Sequence, residues 1–176
     1  YRNFIYTSFQ ELATNVSHNR VGKIAKKKGN KMLAKMCNII AGDEMRHHLA
    51  YREFVKTIFE YDASEMMIAF QDMMQKKIIM PAQNLRQSGG KMASAFDDFS
   101  NAAQRLGVYT TFDYIDILEK LNAHWEISKI SGLTDEAEKA RDYLLKLPSR
   151  MLRIAERIKI PQDANRFKWV EPNGII

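Results

Sequence analysis

The sequence predicts an all-α protein. Long segments repeat apolar residues at spacings of three and four, which is the pattern of a helix with one buried face. Only eight Gly and four Pro punctuate the 176 residues, and no stretch alternates apolar and polar residues as a half-buried strand would. We therefore expect one helical domain over residues 1–176, with an irregular C-terminal segment over 159–176.

Start and stop signals divide the chain into six predicted helices. Asp62-Ala63-Ser64-Glu65 and Thr134-Asp135-Glu136 contain residues that cap helix N-termini. Pro148 should kink the last helix or split it, because proline lacks a backbone N–H. Residues 20–30 hold two Gly and a run of Lys, which indicates a loop or a short helix. The predicted helices are about 3–18, 30–60, 63–80, 91–106, 110–130 and 134–158.

Composition limits the possible functions. A single cysteine excludes an internal disulfide and suits a reducing compartment such as the cytoplasm. No segment approaches the roughly 20 apolar residues of a membrane helix, so membrane insertion is not expected. The net charge of +6 and the run Lys26-Lys27-Lys28 are compatible with nucleic-acid binding. However, no docking motif or interleaved aromatic surface accompanies them, and we expect an acidic protein partner instead.

The strongest functional signal is the pair Glu44-x-x-His47 in the second long helix. Burying an ionised carboxylate costs several kcal/mol unless something pairs with it. Residues three apart on a helix point the same way, so this pair can hold one ion. Glu-x-x-His is half of a carboxylate-bridged di-iron site, although a solvated Glu beside a surface His gives the same spacing. The predicted buried stripe is Leu33, Cys37, Ile40, Glu44, His47 and Tyr51.

A third candidate ligand is Glu11 in the first helix. It lies beside an apolar stripe, among aromatic residues, and alone it would be a boundary residue. Together with Glu44 and His47 it supplies the bridging or terminal carboxylate of such a site. Oxygen and imidazole donors suit iron or manganese, whereas the only thiol, Cys37, is expected to fill the core. The neighbouring stripe is Ile5, Phe9, Leu12 and Val16.

Several motifs in consistent order resemble one known family. Residues 1–18 fit Tyr-x-x-Phe-Ile-Tyr-Thr-Ser-Phe-Gln-Glu-x-Ala-Thr-x-x-Ser-His, and residues 40–47 fit Ile-x-x-Asp-Glu-x-Arg-His. The likeness continues through residues 70–82, 103–110, 139–148 and 167–169. These segments span nearly the whole chain and resemble the soluble acyl-[acyl-carrier-protein] desaturases, the stearoyl-type enzymes of plastids and their bacterial relatives.

The resemblance implies a fold and an activity. The fold is a ferritin-like di-iron helical bundle, of which this chain supplies the second half of the four-helix core and extra C-terminal helices. The activity is the O2-dependent introduction of a cis double bond into a saturated acyl chain carried on acyl carrier protein, in unsaturated fatty acid biosynthesis. It uses two iron ions and a ferredoxin-type electron donor. The implied enzyme is a homodimer in the bacterial cytoplasm or, alternatively, the plastid stroma.

The resemblance also assigns site residues. It makes Glu11, Glu44 and His47 metal ligands, and Thr14 the catalytic hydroxyl beside the oxygen-binding position. Asp43 matches an acid that hydrogen-bonds a ligand His of the other half. The remaining carried-over positions are Gln10 and Ser17 in the same cavity and His18 near the site but not a ligand. The positive charge of the chain separately indicates candidate docking residues for an acidic partner, namely Lys76, Lys77, Arg150 and Arg153.

Two positions depart from the plant pattern. His48 stands where plant members carry Glu, and it should point away from the metal because adjacent helical residues diverge by about 100°. Asn3 stands where they carry Gly, near the acyl cavity, so the preferred chain length stays open.

The family's other Glu and Glu-x-x-His have no counterpart in this sequence. We therefore expect the natural polypeptide to be longer at its N-terminus, with a symmetric dimer of half-sites as the weaker alternative.

Two rival functions also remain. One is a ferritin-like iron oxidase or storage protein. The other is a non-enzymatic helical interaction module, in which Glu11, Glu44 and His47 form only a buried polar network.

Overall fold

The computed structural model describes residues 1–76 and 95–157, without the side chains of 95–98, and in this part of the chain helices are connected by turns and loops, without a strand. The all-α prediction is thereby confirmed for these residues, and none of their helices is long and apolar enough to cross a membrane. The elements are α1 (Arg2–Lys27), α2 (Lys31–Tyr61), α3 (Ala63–Gln75), α4 (Ala95–Arg105), α5 (Thr111–His124), a 3₁₀ turn (Ile127–Lys129) and α6 (Asp135–Ala155).

Helix α1 is longer than predicted. It continues through the segment where a loop or short helix was expected and ends at Lys27, before Gly29 at φ 82°. Gly22 is the reason that α1 can pass so close to α2, because a Cβ there would lie 3.1 Å from the Cβ of Cys37. This contact offsets the usual cost of glycine inside a helix.

Helix α6 is not split by Pro148, contrary to one of the two predicted outcomes. The helix runs from Asp135 to Ala155 with the proline inside it. Proline leaves the carbonyl four residues earlier without its helical donor. That carbonyl belongs to Leu144, and Asn122 Nδ2 of α5 donates to it at 3.3 Å.

The fifth helix ends at His124, earlier than the predicted residue 130, because Glu126 adopts a left-handed φ of 49°.

Parts of three predicted elements lie outside the described residues. These are residues 77–80 of the third helix, residues 91–94 of the fourth, and the last residue of the sixth. The predicted irregular segment over 159–176 lies outside them as well.

The core lies where α3, α5 and α6 cover one side of the α1–α2 pair. Phe70, Met66 and Met67 of α3 are fully buried, so both methionines belong to the core. Trp125 packs edge-on against Phe70 at 5.1 Å between ring centroids, and its Nε1 donates to the carbonyl of Arg52 at 2.9 Å. This core holds α1 and α2 side by side, which positions the candidate ligands.

The predicted buried stripe of α2 was wrong at most of its positions, although Cys37 is buried in the core as expected. Leu33 and Ile40 are 40% and 37% exposed, because small residues on the adjacent face pack against α1 instead. There Asn15 Nδ2 donates to the carbonyl of Ala41 at 2.6 Å. Glu44 and His47 therefore lie at the edge of the α1–α2 contact, not inside it. The observed buried stripe is Ala34, Cys37, Ala41, His48, Val55 and Phe59.

An ion pair joins α1 to the start of α5. Arg20 donates to both carboxylate oxygens of Asp113, at 2.6 and 2.5 Å. Asp113 also forms a capping box with Thr110, whose backbone N–H donates to it at 2.8 Å. Burial alone would raise the pKa of Asp113, but hydrogen bonds from Arg20 and Thr110 hold it below its ordinary value of 3.8.

We expect Asp113→Asn to lower the free energy of unfolding by about 2 kcal/mol at pH 7, because Arg20 loses its partner while partly buried. A depressed carboxyl pKa stabilises the fold above the unfolded-state value and loses this effect as the pH falls through the folded-state value. The difference between wild type and variant should therefore shrink below about pH 4. Urea unfolding at several pH values measures this. The control Asp116→Asn, which breaks an exposed pair with Lys120, should cost under about 0.5 kcal/mol, and equal losses would contradict the prediction.

Candidate metal centre

Glu11, Glu44 and His47 come together where α1 and α2 lie side by side. One donor atom from each lies within 4.8 Å of the others. His47 Nδ1 is 3.4 Å from Glu11 Oε2 and 3.6 Å from Glu44 Oε2. The structure thus assembles all three predicted ligands: Glu11 from α1, and Glu44 and His47 from adjacent turns of α2.

The electrostatics of this cluster favour a bound cation. Burial, together with the hydrogen bond and charge of Glu44, raises the pKa of Glu11 to about 7, and His47 only partly opposes this. A positive ion between the two carboxylates would relieve their repulsion. Donors about 2 Å from one ion lie roughly 3 Å apart, so small side-chain movements would suffice. Two carboxylates and an imidazole suit iron or manganese, and the residues therefore fit the expected metal.

The cluster is open on one side. The side chains of Glu11 and Glu44 are 14% and 20% exposed, whereas that of His47 is 57% exposed. The same face of α2 carries exposed apolar side chains beside the site. An apolar helix face of this kind is normally covered by another helix. The exposed apolar residues are Leu33, Met36 and Ile40.

Asp43 does not contact the three ligands. Its carboxylate pairs with Arg46 one turn along the same helix, and its side chain is 46% exposed. The expected hydrogen bond from Asp43 to a ligand His of another helix is not tested by these residues and stays a prediction.

His48 points away from the metal cluster, as its helical phase predicted. It is 4% exposed, and its Nδ1–H donates to the carbonyl of Ser8 in α1 at 2.8 Å. Burial lowers the pKa of His48, which favours the neutral ring. Its structural role was missed in the sequence, although the seven-residue spacing of Ala34, Ala41 and His48 was a usable signal for the face that contacts α1.

A largely apolar cavity of about 440 Å³ lies on the side of α1 that carries Thr14. The predicted neighbours Gln10 and Ser17 line it with Thr14, whereas His18 is not in its lining. The Thr14 hydroxyl donates to the carbonyls of Gln10 and Glu11, at 3.1 and 3.0 Å. Helices α4, α5 and α6 complete the wall, which sequence reasoning did not place. Lining residues include Phe9, Ala13, Ala103, Tyr109, Tyr114 and Met151.

The Tyr109 hydroxyl is a polar atom in this cavity wall. It is buried and has no hydrogen-bond partner among the described residues. Burial raises the pKa of Tyr109, so its hydroxyl stays protonated. A protonated phenol in an otherwise apolar wall can donate one hydrogen bond to a bound molecule.

The fold and the site together define a helical protein with a carboxylate–imidazole cluster that could hold a metal ion, next to an apolar cavity. Comparison with known proteins narrows this class, because residues 1–171 match the fatty acid desaturase family. The chain belongs to that family, as its sequence resemblance indicated.

The chain is similar to plant enzymes over most of its length. It is 50% identical to the chloroplastic stearoyl-[acyl-carrier-protein] 9-desaturase of Gossypium hirsutum, over 97% of this chain and 43% of that protein. It is 49% identical to the enzyme of that name from Spinacia oleracea, over 90% and 39%. It is 43% identical to the chloroplastic palmitoyl-[acyl-carrier-protein] 4-desaturase 3 of Ophrys sphegodes, over 100% and 45%. The chain thus spans less than half the length of these relatives.

Proposed function

We propose that the protein is an acyl-[acyl-carrier-protein] desaturase, which introduces a cis double bond into a saturated acyl chain during unsaturated fatty acid biosynthesis. The observation that carries this proposal is the cluster of Glu11, Glu44 and His47 beside an apolar cavity. The similarity to stearoyl and palmitoyl carrier-protein desaturases supports the substrate class.

Glu11, Glu44 and His47 are the residues that would hold iron. Bound iron ions would supply the O2 activation needed to remove hydrogen from unactivated methylenes. The carboxylates of Glu11 and Glu44 would supply the oxygen donors that suit iron. His47 contributes a neutral donor, which limits the negative charge of the site.

The cavity would hold the acyl chain and exclude water. Phe9, Tyr114 and Met151 give it apolar walls, and such walls stabilise an extended hydrocarbon by burial. A chain held in one conformation keeps its reacting carbons in a fixed position relative to the ligand cluster. Thr14 keeps lone pairs available on its hydroxyl oxygen, and we propose that it accepts a hydrogen bond next to the oxygen-binding position.

The overall reaction needs a reductant. Forming one double bond removes two hydrogens from the acyl chain, whereas converting O2 to two waters requires four hydrogens in total. Two electrons and two protons must therefore come from elsewhere. A ferredoxin-type donor would supply the electrons.

A centre with two iron ions needs more ligands than these three residues supply. We propose that a further Glu and a Glu-x-x-His, on another helix pair, cover the open side of Glu44 and His47. The natural polypeptide should then have an intact mass well above 20.4 kDa and bind two irons per subunit. A natural mass near 20.4 kDa would contradict this and favour a dimer of half-sites.

The homodimer and the compartment are further parts of the proposal. An active, fully metallated monomer in analytical ultracentrifugation would exclude a required dimer. The bacterial cytoplasm stays a prediction, and the chloroplastic names of the relatives support the plastid stroma as the alternative.

Turnover tests the proposed activity against its two rivals. The iron-loaded natural protein should convert stearoyl or palmitoyl carrier protein to a monounsaturated product with reduced ferredoxin and O2, detected by mass spectrometry of the released fatty acid. Oxidation of ferrous iron without any unsaturated product would favour an iron oxidase or storage protein. A protein that binds no iron would favour the interaction module.

A further inference from the structure

The excess positive charge of the chain is concentrated in one segment, residues 12–42. This segment contains seven Lys and Arg side chains and no Asp or Glu. The chain has 27 Lys and Arg in total, so the residues outside this segment contain 20 Lys and Arg and all 21 Asp and Glu. The seven basic residues are Arg20, Lys23, Lys26, Lys27, Lys28, Lys31 and Lys35.

The lysines of this segment surround the turn between α1 and α2. All six are exposed, and none forms an ion pair with any residue in the described ranges 1–76 and 95–157. Arg20 differs, because Asp113 already neutralises it. The turn therefore presents six unpaired positive charges to solvent.

Three of these lysines line a shallow groove between the end of α1 and the start of α2. Lys26, Lys31 and Lys35 border it, with Ala34 and Ile39 as apolar parts of its surface and an open volume of about 410 Å³. We call this surface the lysine groove. It combines separated positive charges with a small apolar floor, a composition that suits an acidic protein surface.

The lysine groove lies on the opposite face of α2 from the metal ligands. Each residue turns a helix by about 100°, so the nine steps from Lys35 to Glu44 amount to about 180°. A helix that covered the open side of Glu44 and His47 would leave Lys31 and Lys35 accessible.

Local helix stability does not explain the charges on α2. The N-terminus of a helix favours acidic side chains and disfavours basic ones. Yet α2 begins with Lys31 and has no acid in its first turn. Lys26 and Lys27 lie in the last turn of α1, where positive charge stabilises the helix. Lys31 and Lys35 lie near the N-terminus of α2 and gain no such stabilisation.

We propose that the lysine groove docks the acidic carrier protein that delivers the acyl chain, an inference that rests on the function proposed above. Along the helix axes, Lys26 lies roughly 22 Å from Glu11 on α1, and Lys35 lies roughly 14 Å from Glu44 on α2. Electron transfer weakens steeply with distance, and electrons from a donor docked here would have to cross α2 to reach the ligands on its opposite face, which disfavours the electron donor at this site. A carrier instead presents its acyl group on a flexible arm that can span such a gap. Nucleic acid fits poorly, because none of the groove residues is aromatic.

Charge reversal tests this docking site in the natural, iron-loaded protein. The variant Lys31→Glu/Lys35→Glu should fold normally, because both positions are exposed and an acidic residue is favoured in the first turn of a helix, where Lys31 lies. The matched control Lys56→Glu/Lys139→Glu changes the net charge equally at two exposed positions away from the groove. The probes are stearoyl carrier protein, reduced ferredoxin and a single-stranded oligonucleotide, measured by fluorescence anisotropy at low and moderate salt.

The groove variant should bind stearoyl carrier protein about tenfold more weakly than wild type, and the control should change by less than about twofold. KM for the carrier should rise by a similar factor while kcat at saturation is unchanged. Equal effects of both variants, no carrier binding by wild type, or a loss confined to ferredoxin or the oligonucleotide would overturn the docking site. Groove-dependent carrier binding without any desaturation would instead contradict only the proposed function.

Discussion

Glu44→Ala and His47→Ala should each abolish desaturation and lower the iron content of the protein. Both side chains offer donor atoms to one cluster with Glu11, and no other described residue can replace either of them there. Removal of a residue that only hydrogen-bonds a metal ligand costs about 10–100-fold in metal affinity or activity. Removal of a ligand itself should therefore lower metal affinity and activity by at least about a hundredfold. Iron per subunit and product formation from stearoyl carrier protein measure the two effects, and Glu11→Ala should behave in the same way.

His48→Ala is the matched control, because His48 adjoins His47 in the chain but faces Ser8 in α1. The folded variant should keep its iron and most of its activity. It should lose about 2–3 kcal/mol of unfolding free energy, since a buried imidazole and its hydrogen bond are removed. Loss of iron in His48→Ala together with full iron in His47→Ala would refute the assignment of the site.

Ala103→Trp should block turnover of long acyl chains without removing iron. Ala103 lines the cavity from α4, and an indole there would occupy much of its volume of about 440 Å³. A misplaced substrate loses the advantage of a fixed orientation, and even a displacement of 1 Å can cost about a hundredfold in rate. We therefore expect kcat/KM for stearoyl carrier protein to fall at least about tenfold, measured with the iron content of the same sample.

The matched control is Ala123→Trp, which places the same side chain at an exposed position of α5. It should leave both kcat/KM and iron unchanged. If Ala103→Trp retained wild-type kcat/KM with full iron, the cavity would not be the acyl site.

The features that the sequence determined are those that depend on nearby residues. The pair Glu44 and His47 could be recognised because three residues along a helix bring two side chains to the same side. The start of α6 was likewise predictable, since Thr134 accepts a hydrogen bond from the backbone N–H of Ala137 within one turn. Glu11 could be assigned to the same site because it lies beside an apolar stripe and because the family resemblance makes it a ligand. None of these inferences needed to know which helices touch.

The tertiary structure decided which face of each helix is buried. Periodicity sets the angles between side chains on α2, but the neighbours of that helix determine the face that packs. Small residues at Ala34, Ala41 and Gly22 allow α1 and α2 to approach closely, and the buried stripe therefore passes through His48 and not through His47. Similarly, Asn122 satisfies the carbonyl that Pro148 leaves without a donor. The cavity beside Thr14 depends on α4, α5 and α6, whose positions follow from packing between residues far apart in the sequence.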